Sequence, residues 1–416
     1  MTKDLIALSQ RELQRLRLIG LVEAGTITLK DASEKMGVSY RQGKRIFKSY
    51  KDHGESGLAH GNRGRPAFNR TSADVRLKVL EFSEKYREFN DSHFTEKLLE
   101  VEGISISRET VRRLRRTSGT PPKRKRRAPK HRSRRERMPQ EGLMALWDGS
   151  PHRWFGPGEP PCCLMAAIDD ASGKFVAGRF FPFEGSHGYL WLLDRMVRDN
   201  GIPAAIYQDR HGSLKRNDDH WSLEEELAGR QEPTQVGVAL DALGIKPIFA
   251  RSPQGKGRVE RLFGTLQDRL GAELSLAGIK TIEAANTFLE MFIVDFNRRF
   301  SVSTTGKAWR EVPEDIDIDR VISFRYAATV ANDNTVKVGG TTIQIPPGPK
   351  GRSYAKAKVE VRRLLNGSWR VYYGDRFIAK LESTASDETI RAIPRKRKHL
   401  KGDAHNEPRR LAAAPT

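Results

Sequence analysis

The chain has 416 residues, and 74 Lys and Arg against 52 Asp and Glu leave it a formal charge of +22. That length predicts two to four domains rather than one core, and the charge excess points to a polyanionic partner. No apolar run approaches the roughly 18 residues of a spanning helix and the N-terminus lacks the apolar centre of a secretion signal, so the expectation is a soluble cytoplasmic protein with no membrane partner.

Residues 1–60 read as a helix-turn-helix domain. Leu13, Leu16, Leu18, Leu21 and Val22 fall roughly on one side of a helix. The segment TLKDASEKM, a turn at Gly37-Val38-Ser39 and a helix from Tyr40 follow, with Ser39 as N-cap. Tyr40, Arg41, Gln42, Lys44 and Arg45 are the candidate DNA-reading residues, and Ile46 and Phe47 belong to the core. An ordinary helical hairpin with a solvated basic face would show the same pattern.

Residues 61–71 form a linker containing Arg63-Gly64-Arg65-Pro66. Its two guanidinium arms, Arg63 and Arg65, suit a narrow A·T minor groove, although a plain spacer has the same composition. Residues 72–118 predict a second helix-turn-helix-like domain, in which Ser107 caps a helix presenting Arg108, Glu109, Arg112 and Arg113. Residues 119–140 are a basic linker, and within it 121–137 carry ten Lys and Arg against one acid. Lys123, Arg124, Lys125, Arg126 and Arg127 are its candidate phosphate contacts.

From residue 141 the pattern changes. Three β-rich runs, LMALWDGS, CCLMAAIDDAS and KFVAGRFFPF, precede a helix (HGYLWLLDRMVRDNG), a strand (AAIYQDRHG), a polar insert at 213–235, a short helix and a strand (KPIFA). Antiparallel strands followed by alternating helix and strand indicate an α/β domain, a mixed sheet with helices packed on it, over 141–300. The two cysteines, Cys162 and Cys163, are adjacent and suit neither a structural disulfide nor a zinc cage, so both are expected buried in a strand. After a linker at 301–323, residues 324–385 read as a small all-β barrel, with Asn366-Gly367 signalling a type I′ hairpin. Residues 386–416 read as a disordered basic tail.

Three acids stand where local structure does not ask for them. Asp148 ends an apolar strand, Asp209 ends another, and Glu260 begins the helix in RSPQGKGRVERLFGTLQDRL (251–270). Strand ends at a sheet edge converge on clefts, and a neighbouring helix start brings in the third acid. Three crowded carboxylates repel unless cations sit among them, and such oxygen donors select Mg²⁺ or Mn²⁺. On the helix, Val259, Leu262, Phe263, Leu266 and Leu270 form an apolar stripe with Glu260 on its shoulder, while Lys256 and Arg258 are placed to meet DNA. The rivals Asp218, Asp219, Glu224, Glu225 and Glu226 lie in the insert, where no strand aims them. Asp169 and Asp170 read as surface turn residues.

LWDGS, YQDRHG and SPQGKGRVERLFGTLQDRL resemble the three acidic motifs of the retroviral integrase superfamily of DDE transposases. The module order is most similar to the ISNCY group of bacterial insertion-sequence transposases, and FNRRF (296–300) looks like an altered form of a further superfamily segment. The resemblance covers most of residues 25–380. It implies an RNase H-like integrase catalytic core in which Asp148, Asp209 and Glu260 are the catalytic residues and hold two Mg²⁺ ions, with Mn²⁺ as substitute. From Asp209 to Glu260 is 51 positions, longer than is usual in the family, and the insert accounts for the excess.

The reaction implied is metal-dependent, in-line phosphoryl transfer, first cleaving the end of an insertion sequence and then joining it to target DNA. Its partners would be double-stranded DNA, at element end and target, and at least one more copy of the chain, a homo-oligomer on DNA at the nucleoid; no small-molecule substrate is implied. A non-catalytic helix-turn-helix regulator derived from a transposase is the rival reading.

Overall fold

The computed structural model describes residues 8–63, 68, 70–123, 128, 135–216, 221, 223–250, 257–383, 391 and 393. The chain divides into two compact units, Met1–Lys78 and Val79–Thr416. Among the described residues no helix is long and apolar enough to cross a membrane.

In the first unit, α1 (Gln10–Glu23), α2 (Leu29–Lys35) and α3 (Tyr40–His53) are followed by a 3₁₀ turn at Gly54–Leu58. Ile19, Ile46 and Leu58 form the buried core, with Leu16, Val38, Phe47 and Tyr50 packed around it. The Ser39 hydroxyl accepts from the Gln42 amide at 3.3 Å and caps α3 as expected. The turn before it closes at Gly37, which sits at φ +66°. At Gly43 a β-carbon would stand 1.9 Å from Ser33 Oγ, so glycine is what lets α3 cross α2 so closely.

α4 (Ala73–Lys85) is followed by α5 (Asp91–Glu100) and α6 (Arg108–Thr117). Ser107 caps α6 by accepting from Thr110 at 3.2 Å. The pair is closed by Asp91, which takes Arg115 at 3.0 Å and Arg116 at 2.6 Å.

The central sheet contains β1 (Ala145–His152), β2 (Cys162–Asp169), β3 (Phe175–Phe181), β4 (Ala205–Gln208) and β5 (Lys246–Phe249) in the order β3-β2-β1-β4-β5. The first three strands are antiparallel, whereas β4 pairs parallel to both β1 and β5. α7 (Ser186–Asn200) and α9 (Gln235–Ala242) bury one face, with Ala145, Trp147, Met165 and Ile206 beneath them. α10 (Gly257–Leu276) and α11 (Ile282–Phe300) bury the other over Met144, Leu146, Leu164 and Ala205. The wheel of α10 places the expected stripe, Val259, Leu262, Phe263, Leu266 and Leu270, against the sheet. A short helix, α8 (Leu223–Ala228), lies in the insert.

Every residue of β2 is buried, and both cysteines lie in it. Burial pushes the Cys162 thiol up to about 11 and that of Cys163 to about 12. The outer edge of β3 is closed by two carboxamides on α11. Asn286 accepts from the Phe180 amide at 2.7 Å and donates to its carbonyl at 3.2 Å; Asn297 does the same for Phe175 at 2.8 and 2.9 Å. Each stands in for the peptide of an absent strand.

After the short helix α12 (Ile318–Val321), the C-terminal region is all-β. Its strands are β6 (Phe324–Thr329), β7 (Thr335–Val338), β8 (Thr341–Gln344), β9 (Lys358–Arg363), β10 (Trp369–Tyr373) and β11 (Arg376–Leu381). The expected closed barrel is not formed among the described residues: β11-β10-β9-β6 make an open antiparallel sheet, while β7 and β8 pair only with each other. The hairpin at Asn366-Gly367 is present, but its turn is not type I′. Leu364 donates to Ser368, Gly367 donates to Leu364, and of these residues Gly367 alone has positive φ, the pattern of a three-residue loop with a glycine bulge. Of the expected tail, all but Arg391 and Ile393 lies outside the described residues.

Candidate active site

β1 and β4 run parallel with Ala145 opposite Ile206 and Leu146 opposite Tyr207. Continued along both strands, that register sets Trp147 beside Gln208 and Asp148 beside Asp209. The first of these pairs is tied by a hydrogen bond from Trp147 Nε1 to Gln208 Oε1 at 2.9 Å. Pleat alternation sends Met144 and Leu146 to the α10/α11 face, and Ala205 and Tyr207 likewise, so Asp148 and Asp209 follow them there. Two carboxylates thus leave adjacent strands at one level, on the side covered by the helix that carries Glu260. Both are half-buried. The Asp209 carboxylate accepts from the His211 amide at 2.8 Å, which fixes the chain as it leaves the strand.

Glu260 lies in the first turn of α10 and is exposed. Among the described residues no three His, Cys, Asp or Glu side chains form a group able to hold a metal ion, so Glu260 is not gathered with the two aspartates here. Two residues earlier, the same turn of α10 is held by a different acid. Arg258 was expected to face DNA; its guanidinium instead pairs with Asp170, just beyond the end of β2. Asp169 is opposite Ala145 while Asp148 is opposite Ala166, so the residue before this anchor already lies about 10 Å along the sheet from the level of Asp148.

Asp169 and Asp170, expected as surface turn residues, are instead completely buried. Asp169 accepts from the Gly142 amide and from the amide and hydroxyl of Ser172 at 2.8–2.9 Å. Asp170 accepts from Arg135, Arg258 and the Met138 amide. A buried carboxylate survives because it is this thoroughly hydrogen-bonded.

Around the aspartates the structure adds residues that no motif announced. A β-carbon on Gly149 would stand 2.5 Å from Glu184 Oε2, so the glycine after Asp148 makes room for a further acid. Tyr189 donates to Glu184 Oε1 at 2.6 Å. Burial first, then the charges of Glu184, Asp148 and Asp209, push the Tyr189 hydroxyl well above its ordinary range. The glycine in LWDGS was the one readable signal for Glu184.

Of the insert acids, Asp218 and Asp219 and the Glu224 side chain lie outside the described residues. Glu225 is buried and pairs with Arg216, while Glu226 is exposed. The insert walls a cavity of about 560 Å³ with Gln208, Leu214 and Phe249.

Tyr40, Arg41, Gln42, Lys44 and Arg45 are all exposed on α3, with Lys44 Nζ 4.6 Å over the Tyr40 ring. Arg108, Arg112 and Arg113 are exposed on α6, and Arg112 holds Glu109 at 2.6 Å. Arg63 pairs with Glu12. Lys123 pairs with Asp268 of α10 at 3.0 Å. Arg65, Arg124, Lys125, Arg126, Arg127 and Lys256 lie outside the described residues. In FNRRF, Asn297 caps β3, and Arg299 binds Glu96 at 3.0 Å and Glu100 at 2.8 Å.

The family of helix-turn-helix domains matches residues 14–67. The transposase for insertion sequence IS1202 of Streptococcus pneumoniae is 30% identical over 344 residues, 73% of this chain and 71% of that protein. The chain belongs to the insertion-sequence transposases. A putative transposase of Sinorhizobium fredii, y4bF, is 36% identical over 300 residues, and the match spans 72% of this chain but only 64% of that relative. The simian T-cell lymphotropic virus intasome, solved with the PP2A regulatory subunit B56 gamma, matches 76% of this transposase and 99% of its own chain at 14% identity and a TM-score of 0.30, too distant to carry weight. The sheet of the transposase, three antiparallel strands followed by two parallel ones, has the mixed form expected from its sequence.

Proposed function

We propose that this transposase cleaves the ends of its insertion sequence and joins them to target DNA, with Asp148, Asp209 and Glu260 as its catalytic acids. The reading is carried by the parallel register of β1 and β4, which, continued past Leu146 and Tyr207, sets Asp148 level with Asp209 on the face that α10 covers.

The donor set fits a hard divalent cation. All three groups offer oxygen, and Tyr189, raised first by its burial, also feels the charges of Glu184, Asp148 and Asp209, which a cation would offset. When bound, a pair of Mg²⁺ ions, with Mn²⁺ as substitute, supplies charge stabilisation for the entering and departing oxygens of an in-line displacement. The protein's part is to hold the two aspartates in register, through the Trp147–Gln208 bond and the Asp209 turn, and to bring Glu260 toward them when DNA is engaged. The exposed row of α3 reads the duplex, and α6 with the basic linker tracks phosphates. Two ends meeting one target require a homo-oligomer, at least a dimer.

The test uses Asp148→Asn, Asp209→Asn and Glu260→Gln in the full chain, on duplexes carrying the DNA that flanks its gene. Cleavage and joining in Mg²⁺ should fall by at least about 100-fold while duplex binding persists. Normal cleavage by Glu260→Gln would remove that residue from the set. A wild-type chain that binds ends but cuts nothing in Mg²⁺ or Mn²⁺ would leave the non-catalytic regulator.

A further inference from the structure

Along β1, Asp148 points to the face that α10 covers, while the residues flanking it, Trp147 and Gly149, alternate to the α7/α9 face with Ala145. On that far face Glu184, in the loop between β3 and α7, meets the flanks of both aspartates. Its Oε2 lies against Gly149, 2.5 Å from where a β-carbon would stand. Its Oε1 accepts from the Tyr189 hydroxyl at 2.6 Å and lies 3.7 Å from His211 Nδ1, in contact but too far for a hydrogen bond. His211 is the residue whose amide donates to the Asp209 carboxylate at 2.8 Å.

Tyr189 extends the contact. It is completely buried on α7 with its ring centre 5.3 Å from that of Trp147, which donates to Gln208, the residue before Asp209. Burial first, then the neighbouring carboxylates, keep the proton on the Tyr189 hydroxyl, so it stays a donor to Glu184 at neutral pH. Trp147 and Gly149 on either side of Asp148, and Gln208 and His211 on either side of Asp209, thus belong to one connected group of side chains.

We propose that Glu184 and Tyr189 are positioning residues, a brace on the far face of the sheet that sets the gap between Asp148 and Asp209. The proposal rests on the proposed function for the role of the two aspartates and deepens it. β1 and β4 pair at Ala145–Ile206 and Leu146–Tyr207 and no further, so no ladder bond joins the two strands at the level of the aspartates. Two ionised carboxylates at one level repel, and the gap between them has to be held by other groups. The Trp147–Gln208 bond holds it one residue before them. Glu184 holds it beyond, seated between the backbone at Gly149 and the ring of His211 and oriented by Tyr189. The gap matters because Mg²⁺ demands near-ideal octahedral geometry from its oxygen donors.

The first measurement needs neither metal nor catalysis. Amide hydrogen exchange of the full chain, read by mass spectrometry over 145–152 and 205–213, should quicken by at least about 10-fold in Glu184→Ala and in Tyr189→Phe, with β9 and β10 unchanged. Exchange at the wild-type rate in both variants overturns the brace, whatever the activity. In Mg²⁺, kcat for end cleavage should fall by at least about 10-fold with KM for the duplex within about 2-fold, because the acids are displaced and the DNA contacts are not. Glu184→Gln keeps an acceptor for Tyr189 and should recover most of that loss. A glutamine variant as slow as the alanine one overturns the proposal, since the charge and not the contact would then be at work. Glu184→Ala with Gly149→Ala refills space without restoring the Tyr189 bond, so exchange and kcat should stay impaired; a double variant restored to wild type reduces Glu184 to packing and overturns the brace. Should Glu184→Ala not fold, Tyr189→Phe, which loses one oxygen, decides by the same two measurements. A wild-type chain that never cleaves, yet exchanges faster on substitution, sinks the catalytic reading and keeps the brace.

Discussion

The Asp170 carboxylate, completely buried just beyond the end of β2, accepts from Arg258 in the first turn of α10. The same carboxylate takes Arg135 from the end of the basic linker, so three distant segments are tied at one residue. Asp170→Asn should destabilise the second unit by roughly 3–5 kcal/mol, because it leaves Arg258, itself largely buried, facing a neutral amide. Chemical denaturation followed by tryptophan fluorescence measures this, and a loss below about 1 kcal/mol would show that the tie is not structural.

Asn286 and Asn297 complete the hydrogen bonding of β3, which among the described residues has no strand on its outer side. Replacing both with leucine should cost roughly 1–3 kcal/mol for each backbone site left unsatisfied. It should also expose β3 to pairing with other copies. Light scattering at rising concentration is the measurement. Variants that stay as dispersed and as stable as the parent would mean that the carboxamides are dispensable.

Gly43 permits the close crossing of α2 and α3. Gly43→Ala should push α3 outward, cost about 1–3 kcal/mol in the first unit and weaken duplex binding. Adding Ser33→Ala removes the nearest clashing atom, Ser33 Oγ at 1.9 Å, and leaves only the β-carbon at 3.0 Å. The double variant should therefore recover part of the loss; no recovery would place the fault elsewhere than in this crossing.

Glu12 anchors the end of the first unit. Hydrogen bonds from the backbone and hydroxyl of Ser9 and from the His60 amide, with the charge of Arg63, hold its carboxyl down at about 2. The folded form binds its proton less readily than the unfolded chain, so the contribution is complete above the ordinary carboxyl range near 4.5 and is lost as pH falls toward 2. Glu12→Gln should lower the first unit's melting temperature at neutral pH and flatten its decline below pH 4.5, as read by thermal melts across that range.

Much of the fold was legible because it depends on local pattern. The apolar runs LMALW and CCLMAAID became neighbouring strands, the Ser39 and Ser107 caps began the helices they were expected to begin, and the stripe on α10 faced the sheet. The hairpin at Asn366-Gly367 was legible in place but not in type, since Asn366 does not take the positive φ that a type I′ turn needs. Barrel closure was not legible, because alternation within strands says nothing about which outer strands meet.

Charged residues show the divide most clearly. A sequence fixes that Asp170 follows a buried strand, that Arg258 stands two places before Glu260 and that Asp148 and Asp209 end apolar runs. Only the folded chain decides that Arg258 reaches Asp170, that Glu184 lies against Gly149 and that β1, with Asp148 in mid-strand rather than at its end, runs in parallel register with the strand that leads to Asp209. The physical reason is range: hydrophobic periodicity and capping act over a few residues and are written in neighbouring positions. The partner of a charge is set by which distant segments pack together, so it appears only with the tertiary structure.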